Sequence, residues 1–381
     1  MLVTAAVISI ATPAHEQNPP VPRLRAYTTV IPLHGVSPEM ARSPALASTT
    51  IPMFSYSIHA TRDGSTRSGS MVGRSPFAHG ARTTNIPVYI VPLIINMPDA
   101  SHISYDPTVN NTCSPAGVPL TLLQQSPIFN DFTYTMNGVS VGTGQYVDVY
   151  QRANFWSNVQ TTGSRYHTKL SPVTTLSAVT VNVPAGKGIS GNFGGCGHSG
   201  NLGALAIDWF SNYLETTLIP SLAAQGVGPT NFPVFLMNDV VMSGDDPPDF
   251  VNCCILGYHG AFGIPTQTYS PTDFDTTGLF TNTSDTSVWA HEVGEWMDDP
   301  LGTNPTPAWG HTGQVSGCQN NLENGDPLSG TLFPAVKMPN NITYQLQELA
   351  FFSWFFSTPS IGAGGKFSNN GTFTTVAAAC P

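Results

Sequence analysis

Residues 288–300 read VWAHEVGEWMDDP, and the rest of the chain is best interpreted from this segment. Residues i and i+4 share one face of a helix, so His291 and Glu295 can converge on one cation while Glu292 stays free to hold a water. The spacing is that of the H-E-x-x-H metalloprotease helix, with glutamate in place of the second histidine. It predicts a catalytic metal site in which Glu292 is the acid and base. The alternative is a surface helix with a solvated acidic face.

The flanking residues support a helix at this position. Asp285 can serve as the N-cap, and an apolar run follows it. Asp299 precedes Pro300, and the residue before a proline is disfavoured in helical backbone. The sequence therefore predicts a helix from about Thr286 to Met297.

A catalytic zinc ion takes three protein ligands and a water, so a third ligand must come from another segment. Glu323 and Asp326 are the favoured candidates, and His311 is the next. Each has a simpler alternative role, the two acids as turn residues and His311 as a hydrogen-bonded loop residue. The side chains that could contact substrate or stabilise an oxyanion are Tyr258, His259, His311 and Tyr344.

The composition is that of a packed globule with few charges. Of 381 residues, 40% are hydrophobic and 9% are charged. Between Lys187 and Lys337 there is no Lys or Arg, although this stretch holds many acidic residues. Such a charge distribution repels a phosphate backbone and attracts divalent cations. We therefore expect metal binding and no nucleic-acid partner.

The N-terminus and the cysteines predict a secreted protein. Residues 1–14 form an apolar run that ends in small residues but lacks a basic start, so residues 1–20 are interpreted as a truncated signal segment. Six cysteines, an even number, predict disulfides in an oxidising compartment; the alternative is buried thiols in a reducing cell. Cys253 and Cys254 are adjacent, and we expect each to have a distant partner. No later run is long and apolar enough to predict a membrane span.

The pattern along the chain suggests three regions: a signal segment at 1–20, an N-terminal extension at 21–84, and a catalytic region at 85–381. The Gly-rich segment 185–203 is a possible boundary within the last region, and we expect no catalytic residue in the extension. Strands are predicted at 86–96, where Pro92 favours an edge or a bulge, and at 173–183, 232–242 and 253–262. Helices are predicted at 202–218 and 344–356.

The run 290–300 (AHEVGEWMDDP), the downstream pair Ala308-Trp309 and the turn Glu323-Asn324-Gly325-Asp326 together resemble a pattern in secreted zincin-like proteins. These include the exordium/phosphate-induced group of plants. The resemblance covers about 40 residues by the extent of these motifs. It implies that His291 and Glu295 are ligands, that Glu292 is the catalytic acid and base, and that the turn completes the site.

The predicted fold class is α+β, a zincin-like mixed sheet with an active-site helix, preceded by a β-rich or irregular N-terminal part. The predicted function is that of a secreted zinc peptidase, in which Glu292 takes a proton from a metal-activated water that attacks a peptide carbonyl. A second carboxylate ligand weakens the metal as a Lewis acid and could shift the preference towards Ca²⁺ or Mn²⁺. The alternative function is a non-catalytic secreted or cell-surface binding protein, with a degenerate zincin site or a structural calcium. A serine hydrolase has no support, because the chain lacks a Gly-x-Ser-x-Gly elbow.

Overall fold

The computed structural model describes residues 24–41, 48–78, 82–160 and 165–380, so the predicted signal segment lies outside the described residues. The strands are β1 Tyr27–His34, β2 Met53–His59, β3 Thr66–Val72, β4 Thr84–Asn96, β5 Ser104–Tyr105, β6 Phe132–Met136, β7 Val139–Gly144, β8 Thr168–Thr175, β9 Val179–Asn182, β10 Gly188–Asn192, β11 Asn201–Ala206, β12 Phe232–Met237, β13 Val240–Ser243, β14 Cys253–Phe262, β15 Gln267–Asp273, β16 Pro305–Thr312, β17 Val315–Asn321, β18 Leu332–Lys337 and β19 Thr343–Gln347. The helices are α1 Pro38–Ala41, α2 Pro119–Gln124, α3 Tyr146–Asn154, α4 Trp156–Val159, α5 Ile207–Tyr213, α6 Ile219–Ser221, α7 Ser287–Asp298 and α8 Phe352–Phe356.

One large, curled, mixed sheet organises the described residues. Its order is β10-β11-β13-β14-β15-β12-β4-β5, with β1 added beside β14 and with β8 and β9 added beside β4. The strand pairs β12–β15, β12–β4 and β1–β14 are parallel, whereas β13–β14 and β14–β15 are antiparallel. Four two-stranded hairpins surround this sheet, namely β2–β3, β6–β7, β16–β17 and β18–β19.

The predicted zincin-like α+β fold is wrong, because the described chain is mostly β with short helices. The helix predicted at 202–218 begins as strand β11 and becomes helical only at Ile207, with a π-helical turn at Leu214–Leu218. Most of the helix predicted at 344–356 is strand β19 and irregular chain, followed by the short α8. Both errors arose from apolar runs, since a short buried apolar run has the same pattern in a strand and in a helix.

Strand β4 confirms a predicted strand but corrects its position. It spans the predicted 86–96 segment and is paired on both sides, so it is not an edge strand. Pro92 is tolerated because the strand that pairs with this side of β4 changes from β8 to β9 next to it. Strand β8 pairs as far as Ile90 and β9 begins at Leu93, so no ladder hydrogen bond is needed from Pro92 on that side.

The motif helix α7 occupies the core, in contact with β14, β15, β19 and α3. All 12 of its residues are buried, which excludes the alternative of a solvated surface helix. Trp296 stacks on Phe232 with ring centroids 3.8 Å apart, and its indole N–H donates to the hydroxyl of Thr268 at 3.0 Å. The helix is as predicted to within one residue at each end, with Thr286 rather than Asp285 as the N-cap.

All six cysteines form disulfides, as predicted from their even number: Cys113–Cys196, Cys253–Cys254 and Cys318–Cys380. The expectation of distant partners for the adjacent pair is wrong, because Cys253 and Cys254 bridge each other. The peptide bond between them is cis. No helix among the described residues is long and apolar enough to cross a membrane.

Candidate metal centre

Helix α7 carries His291, Glu292 and Glu295 into the core, where each is at most 1% exposed. They face strand β14, and Gly257 of that strand makes the approach possible. A Cβ at Gly257 would lie 3.0 Å from Cγ of Glu292 and from Cγ1 of Val288. Burying charged side chains is costly unless they are paired or bind a metal, so this helix needs partners for its acids.

The turn at residues 323–326 closes over the helix and supplies some of these partners. The backbone N–H groups of Gly325 and Asp326 donate to Oε1 of Glu295 at 3.0 and 3.1 Å. A Cβ at Gly325 would lie 2.6 Å from the imidazole of His291, so only glycine lets the turn lie on that ring. On the helix, Gly294 lets the turn come close in the same way. The amide of Asn324 donates to the carbonyl of Gly294 at 2.9 Å. The Glu-Asn-Gly-Asp segment is therefore packed directly on the His-Glu helix.

Hydrogen bonds fix the orientation of the His291 ring. The Gln347 amide N–H₂ donates to the carbonyl of Gly325 at 2.8 Å, so its Oε1 is the atom that faces Nδ1 of His291 at 3.1 Å. Nδ1 therefore carries the proton, and Nε2 points at Oε1 of Glu295, 3.0 Å away, and at Oδ1 of Asp326, 3.5 Å away. Metal-binding histidines are held in this way, with the second nitrogen donating to a fixed acceptor.

His259 of β14 approaches the same acids from the sheet. Its Nε2 donates to the carbonyl of Asp299 at 3.1 Å, so Nδ1 presents a lone pair to Oε2 of Glu292 at 3.4 Å. Burial lowers the pKa of His259 to about 4, which keeps the ring neutral at pH 7. Glu295 and Glu323 also lie within 3.9 Å of this ring.

The acids respond to burial in different ways. Burial raises the pKa of Glu292 and of Glu323 well above the usual range, and the charge of Glu295 raises both further. Burial alone would lower the pKa of His291 and raise that of Glu295, and it therefore disfavours their ion pair. Their mutual attraction nevertheless raises the pKa of His291 well above its usual value and lowers that of Glu295. Asp326 has a pKa of about 6, because burial and Glu295 outweigh the opposing effect of His291.

We call this group the metal cluster; its members are His259, His291, Glu292, Glu295, Glu323 and Asp326. It contains two overlapping sets whose ligand atoms lie within 4.8 Å of one another, His291-Glu292-Glu295 and His259-Glu295-Glu323. Oε1 of Glu292 and Oε2 of Glu323 have no hydrogen-bond partner among the described residues. Within the described chain no Lys or Arg forms an ion pair with these carboxylates. The donor set therefore fits a cation bound in the core.

Three predicted site residues lie elsewhere. His311 is exposed on β16, near the Cys318–Cys380 disulfide, whose sulfurs are not free to bind a metal. Tyr344 is buried, and its hydroxyl donates to the carbonyl of Leu122 at 2.8 Å. Tyr258 lies on the face of β14 opposite His259, because successive strand residues alternate, and it packs edge-to-face on Tyr269. The structure therefore does not bring these three residues together with the other predicted site residues.

Thr28, Gln314 and Gln347 contact the cluster but were not found from the sequence. The Thr28 hydroxyl lies 2.7 Å from Nε2 of His291, and Gln314 donates through its amide to Oδ1 of Asp326. Thr28 lies in the extension where no catalytic residue was expected. These are common surface residue types at no fixed spacing from the motif, so no local signal could have identified them.

No protein-family model, curated protein or solved structure matches the chain. The resemblance to the exordium group therefore stays a prediction that rests on the motif residues.

Proposed function

We propose that the protein is a metal-dependent hydrolase that cleaves peptide bonds, with its metal held by His291, Glu295 and Asp326. The spacing of these atoms supports the proposal most directly. Ligand bonds of about 2.1 Å in tetrahedral geometry place neighbouring ligand atoms about 3.4 Å apart. Oε1 of Glu295 and Oδ1 of Asp326 lie 3.0 and 3.5 Å from Nε2 of His291. The three atoms do not all lie within 4.8 Å of one another, so a bound metal would have to draw Asp326 towards Glu295.

The donor chemistry favours zinc, with manganese as the next choice. The proposed set has one imidazole nitrogen and two carboxylates. The nitrogen suits zinc better than calcium, which takes six to eight oxygen ligands, and the carboxylates also suit manganese. A structural calcium site in a binding protein is therefore the weaker candidate. When bound, zinc would polarise a carbonyl and lower the pKa of a water at the site.

Glu292 is the proposed general base. It lies within ligand distance of the same nitrogen, but Glu295 is fixed by two backbone N–H groups while Oε1 of Glu292 has no partner. In the metal-free chain burial keeps this carboxyl protonated, so Oε1 would take a proton from the attacking water only once the charge of a bound metal had lowered the pKa of Glu292. The effect of burial on this pKa suits the later transfer of that proton to the leaving amine. His259 is neutral, and its Nδ1 accepts a hydrogen bond from the protonated carboxyl of Glu292 in the metal-free chain; it is not one of the proposed ligands.

The proposed substrate is an extended peptide, and the proposed location is outside the cell. Three disulfides are compatible with an oxidising compartment. Association with a cell surface is the alternative if the site proves to be non-catalytic.

The choice of third ligand can be tested by zinc titration of two matched variants. Asp326→Asn should weaken zinc binding about 10- to 100-fold, because it removes a ligand charge while keeping the side-chain shape. Glu323→Gln should bind zinc with nearly wild-type affinity, because it belongs to the other set of the cluster. The reverse order of affinities would assign the third position to Glu323, and two wild-type affinities would reject the site.

A further inference from the structure

Strand β1 lies directly over the metal cluster. Between Tyr27 and Thr29 its register with β14 shifts, and Thr28 sits in this irregularity. The Thr28 hydroxyl oxygen is 2.7 Å from Nε2 of His291, the nitrogen that we assign to the metal. Thr28 thus occupies the position beside the proposed metal where a reacting group of a substrate would have to lie.

Gln314 holds β1 by its main chain. The backbone N–H of Thr28 donates to Oε1 of Gln314 at 3.0 Å, and the Gln314 amide donates to the backbone carbonyl of Thr28 at 2.9 Å. The same amide also donates to Asp326. A side-chain amide that pairs with both main-chain groups of one residue recognises a peptide independently of its sequence.

Strand β14 holds β1 from the other side. The two strands pair in parallel, with Tyr27 opposite Ile255 and Val30 opposite His259. Ile255 pairs with both Met242 of β13 and Tyr27 of β1, so β13 and β15 lie along one edge of β14 and β1 covers the other edge. Adding an extended chain to such an edge is a general mode of peptide recognition.

Two cavities extend this arrangement in both directions from Thr28 and Gln314. One has a volume of about 370 Å³ and is lined by Arg25, Thr28, His291, Gln314 and Gln347, among others. The other has about 340 Å³ and is lined by Thr28, Gln314, Glu323 and Asp326, among others. Both border the metal cluster, so a longer chain than β1 would find room on either side of the site.

We propose that the space between the β14 edge and Gln314 is a peptide-binding groove that β1 fills as an internal occupant. The ligand is an extended, neutral to basic peptide with a small hydroxyl residue beside His291, since the groove's own carboxylates disfavour an acidic chain. The inference that this groove delivers substrate rests on the proposed function, but the binding of a peptide does not. In the intact chain β1 keeps the site closed.

The test is to cut the full chain between β1 and α1 and to measure whether the peptide exchanges. Gly35 is exposed, has a φ of +72°, and a Cβ there would meet nothing within 4 Å, so a site-specific protease sequence can be inserted after it. Retention of the N-terminal fragment is followed by mass spectrometry. Binding of a fluorescein-labelled peptide of residues 24–34, LRAYTTVIPLH, is followed by anisotropy.

We expect saturable binding of this peptide to the cut protein, either directly or by displacement of the retained fragment. Gln314→Ala should weaken it about tenfold or more, because two hydrogen bonds to the peptide main chain are lost. Gln319→Ala is the matched control. It also removes an amide from Asp326, which Gln319 contacts at 2.7 Å, but among the described residues it makes no hydrogen bond to β1, so affinity should change less than about twofold by the same reasoning.

Three results would overturn the groove. In the first, the fragment is released and the peptide does not bind. In the second, the fragment is retained and excess peptide does not displace it, even in Gln314→Ala. In the third, Gln314→Ala and Gln319→Ala weaken peptide binding equally. Hydrolysis is measured separately, with zinc and a peptide mixture, before and after cutting. Peptide binding without hydrolysis would reject the proposed function and keep the groove. Equal hydrolysis by cut and uncut chains, with no peptide binding, would reject the groove and keep the proposed function.

Discussion

Two groups of acids buried among the described residues differ in their surroundings. The metal cluster combines four carboxylates with two imidazoles and borders two cavities. The second group, here called the aspartate cluster, consists of Asp239, Asp273 and Asp275 at the ends of β12 and β15, all 0% exposed. Among the described residues its acids are not part of any set of three ligand atoms within 4.8 Å.

The aspartate cluster forms hydrogen bonds within the chain, although Oδ2 of Asp273 and Oδ2 of Asp275 have no partner among the described residues. Asp239 accepts hydrogen bonds from the backbone and hydroxyl of Thr276 at 2.7 and 3.0 Å, and Asp275 accepts one from the hydroxyl of Thr277 at 2.6 Å. Burial raises the pKa of Asp239 and Asp273 well above the usual range, which keeps these two carboxyls neutral. Protonation accommodates the buried acids of the aspartate cluster, whereas for the metal cluster we propose a bound cation.

The largest expected effect is on catalysis. Glu292→Gln should lower peptide hydrolysis by the cut, zinc-loaded protein about 10²- to 10⁴-fold, because the base that takes the water's proton is lost. Zinc content should stay at the wild-type level. Asp273→Asn, the matched change in the aspartate cluster, should leave the rate within about twofold, since it lies outside the proposed site. Activity that survives in Glu292→Gln would show that another group is the base.

The next effect is on stability. Chelation of zinc should lower the free energy of unfolding by about 3 kcal/mol if zinc was present at about 100 times its dissociation constant. Thermal unfolding with and without chelator measures this, and His291→Ala should show no difference between the two conditions. Asp275→Asn should respond to the chelator as the wild type does. If the response to the chelator disappears in Asp275→Asn instead, the metal is bound at the aspartate cluster and not at the metal cluster.

The aspartate cluster predicts a pH dependence of similar size. Burial raises the pKa of Asp275 to about 6, above its unfolded value of about 4. An acid with a raised folded pKa stabilises the protein fully below the unfolded pKa and loses that contribution as the pH rises through the folded pKa. The free energy of unfolding should therefore fall by about 2 kcal/mol between pH 4 and pH 7 from this group.

Asp275→Asn should remove this part of the pH dependence, because asparagine has the shape of the protonated acid but does not titrate. Denaturant unfolding at pH 4 and pH 7 measures it, with Asp208→Asn at an exposed position as the control. Equal slopes in wild type and Asp275→Asn would mean that Asp275 is neutralised by something other than a proton.

The smallest effect is expected at Thr28. Thr28→Val keeps the β-branched shape and removes the hydroxyl that contacts His291 and Gln314. Stability should fall by about 1 kcal/mol, the net value of a typical hydrogen bond. Thr29→Val is the matched control on the next residue of β1. If both variants have wild-type stability, the contact between β1 and the cluster contributes nothing to keeping the site closed.

The sequence predicted the parts of the site that are local. The His-Glu helix, the strand at 253–262 and the presence of disulfides follow from spacing, alternation and parity, and the turn at 323–326 was placed beside the helix by motif order. His259 was correctly placed near the site, although as a substrate contact rather than as a partner of Glu292.

The remaining features depend on tertiary structure. The large sheet joins strands from distant parts of the chain, and β11 and β19 have apolar runs that read equally well as helices. Thr28 and Gln314 are 286 residues apart, and they meet only because β1 is paired to β14. Such contacts have no signature in a single sequence.

The most direct test of the central claim is elemental analysis of the purified full chain beside His291→Ala. The account predicts about one zinc per wild-type chain and almost none in the variant, because Nε2 of His291 is the nitrogen on which Glu295 and Asp326 converge. Zinc absent from both proteins, or retained equally by both, would contradict it.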